Sequence, residues 1–107
     1  MATPEFIVSL RQKIGHDMLW LPGVSIVVVD EADRILLGRR ADNGRWAVVS
    51  GIPEPGEQPA VAIRRECLEE TGVDVEVLAL TSVTAGDPFA FPNGDNCVFM
   101  DINFVGR

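Results

Sequence analysis

Phe6, Leu10 and Ile14 recur every four residues, with Ile7 alongside and mostly polar residues between them. That spacing predicts a short amphipathic helix. Thr3 before Pro4 predicts an N-cap followed by proline at the first helical position, and Gly15 suits the C-terminal stop. The pattern then changes period. VSIVVV (24–29) is a β-branched run typical of a buried strand, and the polar turn DEAD separates it from RILLG, so a hairpin is expected between residues 24 and 38. RWAVVSG (45–51) predicts a further strand that stops at its glycine, with Trp46 expected in the core.

The stretch IPEPGE cannot continue that strand. Gln58 and Pro59 predict the opening of a second helix, and Gly72 its close just past Thr71. Ala62, Ile63 and Cys67 supply the apolar stripe of this helix, whereas Glu66, Glu69 and Glu70 are expected to project elsewhere. VDVEVLAL (73–80) alternates and reads as a half-buried strand. FPNGDN carries an Asn-Gly turn, and CVFMDINFV after it reads as another strand. Strands interleaved with two helices and no visible linker predict one α/β or α+β domain over residues 1–107, the first 19 forming a helical extension.

Composition narrows the function. A chain of 107 residues supports one modest core. Its net charge of −7 argues against broad binding to nucleic acid, which needs a basic face. A polyanionic substrate would need local arginines or bound divalent cations. Cys67 and Cys97 stand in no metal-ligand spacing and read as buried, reduced thiols. The longest uncharged run, MLWLPGVSIVVV, contains Pro22 and Gly23 and falls short of the ~20 residues a membrane helix needs. The N-terminus lacks a signal-peptide apolar core, so a cytoplasmic protein without a membrane partner is expected. His16, the only histidine, reads as a surface or capping residue after Gly15.

The glutamates pose the chemical question. From Gly51, five residues lead to Glu57, seven more to Arg65-Glu66, two to Glu69-Glu70 and one to Gly72. At a usage of about 7% per residue type, these seven positions coincide by chance roughly once in 10⁸ windows. The spacing is that of the Nudix box, here residues 51–73, and the chain resembles the MutT-like Nudix hydrolases. GRRADNGRWAVVSG before the box and FPNGD after it extend the resemblance over residues 20 to 107. It implies an α/β/α sandwich around a mixed sheet, and hydrolysis of a nucleoside diphosphate linked to another moiety by water attack at phosphorus.

The residues support that chemistry directly. Glu66 and Glu70 lie one turn apart and can hold one Mg²⁺ or Mn²⁺, while Glu69 can serve a second ion or its water shell. Such cations offset the charge that repels nucleophiles from a diphosphate, and they acidify bound water. Gly51 can offer its carbonyl, and Gly56 permits a turn that brings Glu57 close. The resemblance implies Glu66 and Glu70 as main metal ligands, Glu69 as a further ligand or proton acceptor, and Gly51 as a carbonyl ligand. It also implies that Arg65 orients the glutamates by ion pairing. The expected catalytic set is Glu57, Arg65, Glu66 and Glu69. Arg39 and Arg40 are candidates for phosphate contact, and Phe89 and Phe91 for a substrate wall. The apolar stripe of the first helix reads as core or as a homodimer contact.

Three departures from the family pattern stand out. Val49-Ser50 replaces the usual proline and glycine before Gly51, and Cys67 replaces leucine or valine. Family domains also continue through a further loop, strand and closing helix, and that loop often donates another glutamate. After Glu76 the only acids here are Asp87, Asp95 and Asp101, so the sequence is expected to be a piece of a longer chain. Within the family, the N-terminal helix and the PNGD turn most resemble ADP-ribose pyrophosphatases, which release AMP and ribose 5-phosphate. A nucleoside-triphosphate pyrophosphatase is the close alternative, and an RNA 5′-end hydrolase is disfavoured by the acidic balance. A non-catalytic nucleotide sensor or a purely structural domain would have no need of the full acid set.

Overall fold

A computed structural model describes residues 3–107. Its elements are α1 (Glu5–Ile14), β1 (Leu19–Val28), β2 (Gly38–Arg39), β3 (Trp46–Ala47), β4 (Val49–Gly51), α2 (Pro59–Thr71), β5 (Val77–Ala85), β6 (Phe89–Ala90) and β7 (Asn96–Gly106). β1 is the axis. Its apolar side chains need covering and its backbone needs partners on both edges. β7 runs parallel to it through ten consecutive pairs, from Leu19 opposite Cys97 to Val28 opposite Gly106. β4 pairs antiparallel on the other edge, while β5 and β6 lie antiparallel to β7. The sheet is therefore mixed, in the order β4-β1-β7-β5, and β2 and β3 form a separate two-stranded ribbon.

Alternation along the strands assigns the faces. Val24, Ile26 and Val28 of β1 join Phe104 of β7 and Ile63 and Cys67 of α2 in the main core. Leu19, Leu21, Cys97 and Phe99 have the opposite parity and form a second cluster with Ile7 of α1 and Ile52. The two helices thus cover opposite faces of one mixed sheet, as the resemblance implies. Neither Cys67 nor Cys97 is disulfide-bonded, and both are buried. No helix among the described residues is long and apolar enough to cross a membrane.

Several local expectations need correction. Helix α1 begins one residue late: Pro4 is the N-cap and no side chain caps it, so Thr3 has another place. Ile7 is the buried member of the α1 stripe and joins the cluster that contains Ile52, with Phe6 packed against it. The expected hairpin over 24–38 shrinks to a single bridge, Val29 to Ile35, around a turn in which Asp30 accepts from the backbone of Ala32 and Arg34. Its first strand instead starts at Leu19 and finds its long partner in β7. The 45–51 strand breaks at Val48 into β3 and β4, which pair with different partners. Trp46 consequently sits on the small ribbon, 65% exposed, and is not core. The 73–80 strand starts only at Val77, runs on to Ala85 and is mostly exposed, since it is an edge strand with two register shifts.

Candidate active site

Helix α2 carries the chemistry, and its ends are set locally. Gln58 is extended, Pro59 occupies the first turn, and Gly72 adopts the left-handed conformation (φ 73°), donating its N–H to the Leu68 carbonyl at 2.9 Å. Between these caps, Ala62, Ile63 and Cys67 face the sheet. Glu66 does not project away from them: among the described residues it alone combines charge with burial, at 6% exposed. Its side chain lies over the loop at Gly51, where a Cβ would sit 2.7 Å from Glu66 Oε1 and nearer still to its Cγ and Cδ. Glycine at 51 is thus a space requirement of Glu66.

Arg65 gathers the acids. Its Nε donates to Glu57 Oε2 at 2.8 Å and its Nη2 to Glu57 Oε1 at 2.9 Å, a two-pronged pair. Its Nη1 donates to Glu66 Oε1 at 3.1 Å and to Glu69 Oε2 at 3.2 Å. Glu57 also accepts the Glu54 backbone N–H at 3.0 Å, closing the loop before the helix. The Arg65 hydrogen bonds hold the Glu57 carboxyl below its ordinary pKa. Glu66 is pushed the other way, chiefly by burial, with Glu70 and Glu69 adding to the effect and Arg65 opposing it. Glu70 takes no part in the Arg65 fork.

Glu54, Arg65, Glu66, Glu69 and Glu70 line a cavity of about 410 Å³, and Thr3 and Pro4 complete its wall. Glu70 also borders a second cavity, of about 560 Å³, together with Arg39 and Arg40. Among the described residues no three acidic, imidazole or thiol groups are gathered closely enough to hold a metal ion as they stand. Arg65 draws Glu66 and Glu69 to itself. The donor chemistry nevertheless fits a hard divalent cation, because four carboxylates and one guanidinium share the cavity.

The structure therefore assembles Glu57, Arg65, Glu66 and Glu69, with Glu70 in the same cavity and Gly51 against Glu66. Arg39 and Arg40 reach the adjoining cavity, where Arg40 pairs with Asp42 at 2.7 Å and Arg39 donates to the Gly44 carbonyl at 3.1 Å. Phe89 and Phe91 pack on each other at 5.0 Å, Phe89 stacks on Phe99, and neither lines these two cavities. Both rings keep an exposed face, at 42% and 40%, outside these two cavities. As site residues, Glu54, Thr3 and Pro4 escaped the sequence reading. Glu54 was detectable as an acid inside the IPEPGE loop, whereas nothing near Thr3 and Pro4 in sequence points to the glutamates.

Comparison with known proteins places these features. A family model described as NUDIX domain matches residues 19–106. A MutT-like protein of Streptomyces ambofaciens is 50% identical over 75 residues, which cover 70% of this chain and 49% of that protein. An RNA pyrophosphohydrolase of Rickettsia africae is 37% identical over 68 residues, covering 62% of this chain and 42% of its own. The crystal structure of a MutT protein from Methanosarcina mazei Go1 superposes with a TM-score of 0.66 at 23% identity, over 85% of this chain and 65% of that one. The chain spans about half the length of the relatives it matches.

Proposed function

Starting from a chain that belongs to the Nudix family, we propose a divalent-metal-dependent hydrolase that cleaves the diphosphate linkage of a nucleoside diphosphate derivative. The observation that carries this reading is Glu66, buried against Gly51 and sharing a cavity with Glu69 and Glu70. Several carboxylates crowded around one guanidinium, with Glu66 buried among them, repel one another, and a bound cation would relieve that repulsion. Glu66, Glu70 and Glu69, with the Gly51 carbonyl, would hold Mg²⁺ or Mn²⁺, which supplies charge neutralisation and an acidified water. Arg65 orients the acids and is itself fixed by the two-pronged contact to Glu57. Glu69, the most exposed acid of the fork, would accept the proton of the attacking water.

ADP-ribose is the substrate we favour. Two cavities that meet at Glu70 suit a molecule with one moiety on each side of a diphosphate, with Arg39 and Arg40 available to its phosphates. Water adds to one phosphorus, the bond from that phosphorus to the bridging oxygen breaks, and AMP and ribose 5-phosphate leave. A second reading, removal of pyrophosphate from a nucleoside triphosphate or an RNA 5′ end, is favoured by the likeness to the Rickettsia RNA pyrophosphohydrolase. The net charge of −7 weighs against extended RNA contact.

The test is a release assay with and without Mg²⁺ or Mn²⁺. ADP-ribose is followed by phosphatase-coupled phosphate, and triphosphates and 5′-triphosphorylated RNA by pyrophosphate. Metal-dependent turnover of ADP-ribose supports the first reading, and turnover of the triphosphates alone replaces it with the second. A folded protein inert on every substrate would refute both.

A further inference from the structure

The carboxylate cavity has one uncharged side, and it comes from outside the box. Of its lining residues, Glu54, Arg65, Glu66, Glu69 and Glu70 are charged, while Thr3 and Pro4 are not. We propose that Thr3 and Pro4 form a specificity wall that receives the uncharged sugar or base of the substrate, with Arg11 as the positioning residue that holds the arm bearing them. This rests on the hydrolase reading above.

Three anchors make the arm a fixed part of the site. Pro4 belongs to the first turn of hydrogen bonding, its carbonyl accepting from Ile7 at 3.0 Å and Val8 at 3.2 Å, and its ring limits the backbone besides. Ile7, 5% exposed, packs in the cluster that contains Ile52, the residue next to Gly51. At the far end, Arg11 donates to the carbonyls of Gly15 (3.0 Å), Asp17 (2.5 Å) and Asn96 (2.8 Å), and its Nε lies 3.6 Å from Asp95 Oδ2. His16 reinforces the same end, contacting Asp95 Oδ1 at 2.7 Å and offering its carbonyl to Asn96. The end of α1 is thus tied to the turn before β7, and its start is held over the acids.

The division of chemistry follows. Phosphate is repelled by the acids unless cations intervene, so it belongs on the carboxylate side. The remaining half of the substrate meets the threonine hydroxyl, which can donate or accept to a sugar hydroxyl, and the flat apolar face of the proline. A contact of this kind exists equally in the ground and transition states, so its loss should appear in KM more than in kcat.

The native cysteines are buried, so T3C would present the accessible thiol. We would measure its alkylation by iodoacetamide with Mg²⁺ and either α,β-methylene ADP-ribose or α,β-methylene ATP. The probe should slow alkylation roughly ten-fold, while V8C, on the exposed side of α1, reacts at an unchanged rate. T3A should raise KM several-fold with a smaller effect on kcat. In the T3C background, R11A should abolish the protection and R11K should restore part of it. A probe that raises the Tm of the wild type but leaves T3C alkylation unchanged overturns the wall. If neither probe raises the Tm, the hydrolase reading itself fails, and the inference with it.

Discussion

Arg65 pairs with three of the glutamates but not with Glu70, so on the proposed reading their substitutions should separate. Glu70 stands outside the Arg65 fork, so Glu70→Gln keeps shape and leaves every mapped ion pair intact. It should melt like the wild type yet lose more than the ~10–100-fold in activity that loss of an outer-shell partner costs. Unchanged turnover would remove Glu70 from the ligand set. Arg65→Ala instead strands Glu57 and Glu66, whose side chains are 15% and 7% exposed. The expected cost is about 3 kcal/mol, a drop in Tm of roughly 10–20 °C, together with lost activity. Equal melting temperatures would count against the orienting role. The two acids also respond oppositely to pH. Glu57 has a lowered pKa, so its contribution is complete above its unfolded value and fades as pH falls through the folded one. Denaturant titrations should show Glu57→Gln less stable than wild type at pH 7, with the gap closing below about pH 4. Glu66 has a raised pKa, so ionising it costs stability as pH rises through its folded value.

At the scale of elements, α2 was legible almost to the residue. Its signals are local: proline at the start, glycine at the stop and acids at fixed spacing, all contained in one loop and helix. The same reading missed that Glu66 is buried, because helical spacing says which residues share a face but not how deep that face lies. Ile63, fully buried between α2 and β1, tests the packing that holds the acids in place. Ile63→Ala should lose about 2–5 kcal/mol in urea unfolding, and a loss below 1 kcal/mol would mean that α2 is seated by something else. Strand 45–51 was legible as extended chain but not as two strands. Only the distant partners, β1 for Val49–Gly51 and Gly38–Arg39 for Trp46–Ala47, decide where it divides. Trp46 shows the error that follows when an apolar residue is placed before its strand has been paired.

For the whole molecule, the mixed sheet between two helices was legible as a class, while its order was not. The parallel partnership of β1 and β7 leaves no local trace, since it joins residues about 80 positions apart. Thr3 illustrates the same limit at the active site: its place beside the glutamates depends on where α1 docks. The two cysteines test the closed state of both faces together, Cys67 on the sheet-facing side of α2 and Cys97 in the cluster covered by α1. Burial raises both thiol pKa values. Both should resist DTNB in the native protein and react together on unfolding. Rapid reaction of Cys97 alone would show that α1 opens independently.

The long parallel register also has a consequence in time. During synthesis β1 emerges well before β7, with Ile26 and Val28 needing cover, and its ten-pair partner is complete only when Gly106 has left the ribosome. Until then the hairpin turn at Asp30 and the three-residue β4 are all the pairing β1 has. The nascent chain must therefore keep a sticky central strand largely unpaired while everything between β1 and β7 is translated. The glutamate site, although written in one short stretch, rests on β4 and β1, and β1 is fully paired only once β7 arrives.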